Sequence, residues 1–201
     1  MIIAIEGIDG AGKNTIVKRI VEEYGADTLS FPRYEDSLHA QLAQDALYGK
    51  MGDLVDSAYG MATMFALDRF GAKAQLEQYQ DTQDRILLLD RYVASNAAYT
   101  AARTGDDAAA EWVAELEFGK LGLPKPDLQV LVATSPSVAR ERAQRREAQD
   151  ATRTRDHYER DGGLQDATFA QYNRLAETDW ASRWISTSDA TAIIQAIQSA
   201  R

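Results

Sequence analysis

A glycine-rich turn with a lysine follows the first apolar segment and is the chain's strongest chemical signal. Gly7, Gly10 and Gly12 allow backbone conformations that bring N–H groups close to an anion. The Lys13 ammonium can then reach the outer phosphates of a nucleotide. Because this spacing lies after a predicted strand and before an apolar helix, it predicts a phosphate cradle over residues 7–14.

The residue that follows the lysine departs from the usual pattern. Such cradles place Ser or Thr there to bind Mg²⁺, whereas this chain has Asn14 and only then Thr15. An Asn carbonyl can also ligate the metal, so the sequence leaves open which of the two does so. The helix predicted over 12–24 directs its positive N-terminal end at the same phosphates.

A second candidate site begins where the apolar run 86–89 ends. The Asp90 carboxylate can hold Mg²⁺ or its water, and the planar guanidinium of Arg91 suits a substrate phosphate. The alternative is a surface ion pair that closes a strand.

Two residue pairs share a helix face at suitable spacing. Phe65 and Arg69 are four residues apart, so the ring can stack on a base while the guanidinium reaches a phosphate or base carbonyl. Asn96 and Tyr99 offer an amide and a hydroxyl in the same way. The alternatives are core packing of Phe65 beside a solvated Arg69, and a helix cap at Ser95.

Arginine is concentrated in one segment of an otherwise acidic chain. A mobile, arginine-rich lid would neutralise a migrating phosphoryl group and exclude water. The alternative is a solvated helix face balanced by neighbouring acids. The arginines are Arg140, Arg142, Arg145, Arg146, Arg153, Arg155 and Arg160.

Composition excludes several classes of protein. The 201 residues, 45% of them hydrophobic, suit a single domain over 1–201, and the net charge of −9 disfavours a nucleic-acid-coating protein. The absence of cysteine excludes disulfides and thiolate metal sites. Glu6 and Asp9 interrupt the N-terminal apolar run, which resembles neither a signal peptide nor a membrane span. We therefore expect a soluble, cytoplasmic protein without nucleic-acid or membrane partners.

The apolar pattern predicts an α/β fold with a parallel sheet. Ligands bind beyond the carboxyl ends of such strands, so Asp9 and residues 31–34, 90–92 and 134 onward should face one crevice. The predicted strands cover 2–5, 27–31, 86–89, 128–133 and 184–186, and the later helices cover 38–48, 53–79, 95–121, 135–148, 163–178 and 190–198.

Together these motifs resemble the thymidylate kinases, and the sequence is most similar to actinobacterial members. The resemblance implies a single-domain P-loop NTPase fold, a five-stranded parallel sheet flanked by helices, of the nucleoside monophosphate kinase type with an arginine-rich lid at about 142–160. The resembling segments are 7–13, 31–34, 65–69 and 90–99, extended by 122–127 and 153–159.

The resemblance also implies an activity. A member of this family is an ATP- and Mg²⁺-dependent homodimer that converts dTMP and ATP to dTDP and ADP in dTTP biosynthesis. Two alternatives stay open: a kinase for another nucleoside monophosphate or a deoxynucleoside, and a nucleotide switch or ATPase with a protein partner. An apolar stripe that includes Met61, Ala62 and Phe65 fits either self-association or core packing.

Roles for individual residues follow from the resemblance. Phe65 stacks on thymine, Arg69 contacts a base carbonyl, Asn96 binds the other base edge and Tyr99 lies against the deoxyribose. Arg91 holds the dTMP phosphate with Arg33 and Tyr34 nearby, and Asp9 meets the sugar hydroxyl or the metal. The full dTMP set is Asp9, Arg33, Tyr34, Phe65, Arg69, Arg91, Asn96, Tyr99, Asp156 and Tyr158.

The remaining assignments concern ATP, catalysis and the metal. The catalytic residues are Lys13, Arg91, Asp9, Arg153 and Arg146, and the metal candidates are Asp9, Asp90 and Glu159. The ATP set is Gly7, Ile8, Asp9, Gly10, Ala11, Gly12, Lys13, Asn14, Thr15, Arg142 and Arg146.

Overall fold

The computed structural model describes residues 1–82, 84–149 and 157–200, without the side chains of 146–149, 159 and 160. Four predicted site residues therefore have no described side chain: Arg146, Arg153, Asp156 and Glu159.

Five strands of the described chain form one parallel sheet in the order β2-β3-β1-β4-β5, which confirms the predicted architecture. Ile3 of the central strand pairs with Leu88 on one side and Leu128 on the other. Every residue of the first strand is buried, as expected for a strand covered on both faces. The strands are β1 Ile2–Glu6, β2 Asp27–Ser30, β3 Leu87–Asp90, β4 Leu128–Leu131 and β5 Trp184–Ser186.

Helices connect and flank these strands. None of the described helices is both long enough and apolar enough to cross a membrane. The helices are α1 Lys13–Tyr24, α2 Leu38–Leu47, α3 Ala58–Gly71, α4 Lys73–Glu77, α5 Val93–Thr104, α6 Ala108–Ala114, α7 Pro136–Gln149, α8 His157–Arg160, α9 Gly162–Glu177 and α10 Ala190–Ala200, with a 3₁₀ turn at Gly52–Asp56 and a π-helical turn at Glu115–Lys120.

Two apolar clusters stabilise this arrangement. The larger joins the central strands to the flanking helices, and Ile20 and Ile193 are fully buried in it. The smaller joins α2, α3 and α8 through Leu47, Met61 and Tyr158. Met61 and Ala62 are thus buried within the chain, which favours core packing for the predicted apolar stripe.

The helix predicted over 53–79 is wrong, because the chain forms three separate helical segments there. The 3₁₀ turn ends before Ser57, whose hydroxyl accepts a hydrogen bond from the Gly60 N–H and starts α3. A second break at Ala72 separates α3 from α4.

The helix predicted over 95–121 is also wrong. It begins at Val93, so Ser95 lies inside α5 and is no cap, and it ends at Gly105, which has a left-handed φ of 66°. The chain then forms α6 and the π-helical turn, in which Leu121 N–H bonds to the Leu116 carbonyl. The turn returns the chain towards α5 and α3, where Glu117 becomes fully buried.

Candidate active site

A cavity of about 340 Å³ opens at the carboxyl ends of β1, β2 and β3. This volume is in the range of small-molecule sites. The cavity brings together eight of the predicted dTMP-binding residues: Asp9, Tyr34, Phe65, Arg69, Arg91, Asn96, Tyr99 and Tyr158.

Asp9 and Arg91 form an ion pair on one side of the cavity. Arg91 Nη2 donates to Asp9 Oδ1 at 2.5 Å, and Arg91 Nη1 donates to the Ser95 and Tyr172 hydroxyls, both at 3.2 Å. The Tyr99 hydroxyl donates to Asp9 Oδ2 at 3.0 Å. These contacts fix the guanidinium plane of Arg91 against the cavity.

Opposing effects set the protonation of this pair. Burial raises the pKa of Asp9, but the charges of Arg91 and Lys13 and the hydrogen bonds from Arg91 and Tyr99 outweigh it and hold that pKa well below its ordinary value. Burial lowers the pKa of Arg91, but the Asp9 carboxylate more than offsets this effect, so the pKa lies above its ordinary value. The pair therefore stays charged at neutral pH.

A second ion pair lies at another part of the cavity wall. Arg69 donates through Nε to Glu117 Oε2 at 2.5 Å and through Nη2 to Oε1 at 2.7 Å. Asn96 Nδ2 donates to Glu117 Oε1 at 2.8 Å and to the Ala62 carbonyl at 2.9 Å. Burial lowers the pKa of Arg69, but the Glu117 carboxylate reverses the shift and raises it. This cluster gives the cavity one cationic and one amide group.

Aromatic rings form a further part of the wall. The rings of Tyr99 and Tyr158 stack with centroids 5.8 Å apart and planes 15° apart. Arg103 donates from Nη1 to the Tyr158 hydroxyl at 2.5 Å, and Gln165 Nε2 donates to the Tyr158 carbonyl at 3.1 Å and to the Tyr99 hydroxyl at 3.2 Å. Half-buried Phe65 also lines the cavity.

The predicted phosphate cradle has the expected backbone. Gly7, Gly10 and Gly12 have φ values of 142°, 86° and 101°. A Cβ on Gly10 would lie 2.1 Å from the backbone oxygen of Ala139, so α7 packs directly on the cradle. Arg142, also on α7, donates from Nη1 to the Ala11 carbonyl at 3.3 Å.

Lys13 is buried at the base of the cradle. Its Nζ donates to the carbonyl oxygens of Gly7 at 3.1 Å and Ile8 at 3.2 Å. Burial and the nearby Arg91 charge lower its pKa to about 8, with the Asp9 carboxylate among the groups opposing them. An anion bound in the cradle would stabilise the ammonium and supply it with better acceptors.

One carboxylate oxygen fits a metal site. Asp90 Oδ1 is buried and has no hydrogen-bond donor among the described residues, as expected for an oxygen facing a cation or its water. Both oxygens of Asp9 already accept hydrogen bonds, and Asn14 and Thr15 are exposed. Within the described ranges no three acidic or histidine side chains gather around a common point, so a Mg²⁺ ion there would need phosphate and water ligands.

Arg33 is placed differently from the other predicted phosphate ligands. Its Nε donates to Asp68 Oδ1 at 3.0 Å and its backbone N–H to Asp68 Oδ2 at 3.0 Å. The structure does not bring Arg33 into the lining of the cavity, although its neighbour Tyr34 is there.

Sequence reasoning missed several buried polar groups behind the site. Glu6 is fully buried and accepts hydrogen bonds from the Tyr92 N–H at 2.8 Å and the Ser95 hydroxyl at 2.6 Å. Burial raises the pKa of Glu6, although the hydrogen bond from Ser95 opposes this shift. Gln165 and Glu117 were missed too, because no local spacing links them to their partners.

Comparisons with known proteins point to one family. The family model described as thymidylate kinase matches residues 5–200. The chain is 50% identical to the thymidylate kinase of Mycobacterium tuberculosis strain H37Rv, over 92% of this chain and 90% of that protein. It is 31% identical to the probable thymidylate kinase of Archaeoglobus fulgidus, over 73% of this chain and 70% of that protein.

A solved structure extends the likeness to the fold. The thymidylate kinase of Candida albicans aligns with a TM-score of 0.75 at 21% identity, covering 98% of this chain and 91% of that one. A family model matches residues 5–200 and a relative is 50% identical over 92% of this chain, so this chain belongs to the thymidylate kinase family.

Proposed function

We propose that this chain is a dTMP kinase that transfers the γ-phosphoryl group of ATP to dTMP, forming dTDP and ADP. The observation that carries the proposal is one cavity in which the Arg69–Glu117–Asn96 cluster and the Asp9–Arg91 pair lie beside the phosphate cradle. Such a cavity offers a base site and a phosphate site next to the donor site. The proposal treats residues 1–201 as one domain, with the cradle at 7–14 and a lid at about 142–160.

The acceptor nucleotide would span the cavity. Phe65 would stack on the thymine, Arg69 and Asn96 would bind its polar edge, and Tyr99 would lie against the deoxyribose. Arg91, with Tyr34 nearby, would bind the dTMP phosphate.

Catalysis in this proposal depends mainly on position and charge. A phosphate oxygen of dTMP is already a nucleophile, so in-line transfer requires alignment and charge neutralisation rather than a strong base. Lys13 would turn from the Gly7 and Ile8 carbonyls to the phosphates of ATP. The lid arginines Arg142, Arg146 and Arg153 would surround the transferred group.

The residues present fit a Mg²⁺ ion bound together with nucleotide phosphates. Asp90 has a buried oxygen without a donor in the described chain, and Asp9 follows the neighbouring strand β1, whose Ile5 pairs with Asp90. Asp90, Asp9 and Glu159 would hold the ion directly or through water, and Mg²⁺ would neutralise charge on the transferred phosphate.

A homodimer and a cytoplasmic location remain predictions from the family resemblance. On α3, Tyr59 and Phe70 are 41% and 44% exposed, which leaves apolar surface for a second copy. Sedimentation of the purified chain tests this part of the proposal: a single species at the monomer mass across micromolar concentrations would contradict it.

The proposed activity is tested by measuring ADP formation with Mg²⁺-ATP across a panel of acceptors. The panel contains dTMP, dUMP, dCMP, dAMP, dGMP, deoxythymidine and no acceptor. We expect dTMP to give the highest kcat/KM. Preference for another acceptor would keep the kinase activity but overturn the assignment of the base-site residues to thymine. ATP turnover at full rate without acceptor would favour the ATPase or switch alternative.

A further inference from the structure

Glu117 is a fully buried carboxylate that is not among the described residues lining the cavity. It lies in the π-helical turn Glu115–Lys120, and such turns are frequent where a side chain must be redirected at a functional site. Its two oxygens accept three hydrogen bonds, two from Arg69 and one from Asn96. A single carboxylate therefore holds both polar residues assigned to the base.

The contacts of Asn96 determine which of its amide atoms is offered to the cavity. Its Nδ2 lies 2.8 Å from Glu117 Oε1 and 2.9 Å from the Ala62 carbonyl oxygen. Both neighbours are acceptors only, so the amide nitrogen must occupy this position, since a carbonyl oxygen there would face two oxygens. Asn96 lines the cavity and therefore presents Oδ1, an acceptor, to a ligand.

The same carboxylate orients Arg69. Nε and Nη2 are bonded to the two oxygens of Glu117 at 2.5 Å and 2.7 Å, a bidentate geometry that fixes the guanidinium plane. No acceptor in the described part of the chain takes a hydrogen bond from Nη1. Arg69 also lines the cavity, so Nη1 is the donor that it can offer.

We propose that Glu117 is the positioning residue that sets the donor and acceptor order of the base site. With Glu117 in place, the site presents a donor from Arg69 and an acceptor from Asn96, which matches the O4 acceptor and N3–H donor of thymine. Cytosine has a donor at N4 and an acceptor at N3, so it meets both groups with the wrong polarity. This inference rests on the proposed function, because it explains how that site selects its base.

The matched substitution is Glu117→Gln, which keeps the size and removes the charge. The amide has one acceptor oxygen where the carboxylate has two, so Arg69 loses a partner in either orientation. When the amide NH₂ faces Asn96, the Nδ2 of Asn96 keeps only the Ala62 carbonyl as an acceptor. A rotated Asn96 would accept from the new NH₂ and present Nδ2 to the cavity, but its Oδ1 would then face the Ala62 carbonyl oxygen, so neither orientation satisfies both neighbours. The order of donor and acceptor would no longer be fixed.

The experiment is calorimetric titration of dTMP and dCMP into the wild type, Glu117→Gln and Glu115→Gln. Glu115 is in the same turn, but its carboxylate is 68% exposed and pairs with Lys120, so it is the control. We expect Glu117→Gln to lose about tenfold or more in dTMP affinity and to reduce the preference for dTMP over dCMP by a similar factor. Glu115→Gln should behave as wild type, and KM for ATP, measured separately by steady-state kinetics, should not change in either variant.

The outcomes separate this inference from the proposed function. A wild type that shows no preference for dTMP over dCMP would overturn the base site itself. A wild-type preference that Glu117→Gln retains, even with a lowered Tm, would overturn the role of Glu117 alone. If Glu117→Gln does not fold, Glu117→Asp keeps the charge but withdraws it by one methylene, and full preference in that variant would overturn the inference.

Discussion

Arg91 Nη2 lies 2.5 Å from Asp9 Oδ1, and the two residues follow neighbouring parallel strands. Residues after β1 and β3 meet at the same edge of the sheet because Ile5 and Asp90 are in register. The ion pair is partly buried, with 15% of the Arg91 side chain and 29% of the Asp9 side chain exposed. The sheet thus places a fixed positive group in the wall of the cavity.

Replacing Arg91 with alanine should affect turnover much more than folding. The substitution removes the cation that would bind the acceptor phosphate, and we expect kcat/KM for dTMP to fall by about 10²–10³-fold. Arg19→Ala is the control, because the side chain of Arg19 is 61% exposed on α1. Steady-state kinetics and circular dichroism measure the two effects, and a near-normal rate in Arg91→Ala would contradict its role.

Activity should depend on pH through Lys13. Burial lowers the pKa of Lys13 to about 8, so the free enzyme loses this positive charge as pH rises through that value. Arg91 stays charged in this range because its pKa is raised above its ordinary value. We therefore expect kcat/KM for ATP to fall above about pH 8, since this parameter reports on the free enzyme.

Lys13→Arg provides the comparison for the pH profile. Its guanidinium stays charged at high pH, so this variant should be slower throughout but should lack the alkaline fall. A wild-type profile that is flat from about pH 7 to 9.5 would show that Lys13 does not titrate as described.

Gly10 should not tolerate even alanine. A Cβ there would meet the Ala139 backbone oxygen at 2.1 Å, in addition to the left-handed φ of 86°. Gly25→Ala is a matched control, because Gly25 also has a left-handed φ, of 61°, but nothing lies within 4 Å of its Cβ position. Both variants should lose roughly 1–2 kcal/mol of folding free energy, because a residue with a Cβ is strained at a left-handed φ. Only Gly10→Ala must also move α7 away from the cradle.

The measurement for these glycines combines thermal unfolding with ATP titration. We expect Gly10→Ala to have the lower Tm and to raise KM for ATP by about tenfold or more, whereas Gly25→Ala keeps the wild-type KM. Equal effects in the two variants would mean that the contact with Ala139 does not constrain the cradle.

Asp90 should determine the Mg²⁺ requirement. Removing the divalent ion with a chelator should abolish turnover. Asp90→Asn should raise the Mg²⁺ concentration at half-maximal rate several-fold, because it removes the negative charge of the carboxylate whose Oδ1 has no hydrogen-bond donor in the described chain. Exposed Asp84→Asn, in the segment before the same strand, is the control. If Asp90→Asn titrated with Mg²⁺ like the wild type, the metal assignment would be wrong.

Much of the fold could be predicted because its signals are local. The continuous apolar runs at β1 and β3 predict strands buried on both faces, and the spacing of Gly7, Gly12 and Lys13 predicts the turn that follows. These patterns lie within a few residues of one another. They also fix the common edge where the site is built.

The remaining features depend on contacts between distant residues. Glu117 is 48 residues from Arg69 and 21 from Asn96, so no spacing rule connects them. The breaks at Ser57 and Gly105 depend on one cap and one left-handed residue inside otherwise helical sequence. Apolar periodicity alone predicts helices that continue through both positions, so it does not predict the π-helical turn that buries Glu117.

The most direct test of the central claim is to separate and quantify the nucleotide products formed from dTMP and Mg²⁺-ATP. A dTMP kinase forms dTDP and ADP in equal amounts, and we expect this ratio at every time point before either substrate is exhausted. ADP formed without dTDP would contradict phosphoryl transfer to dTMP by this chain.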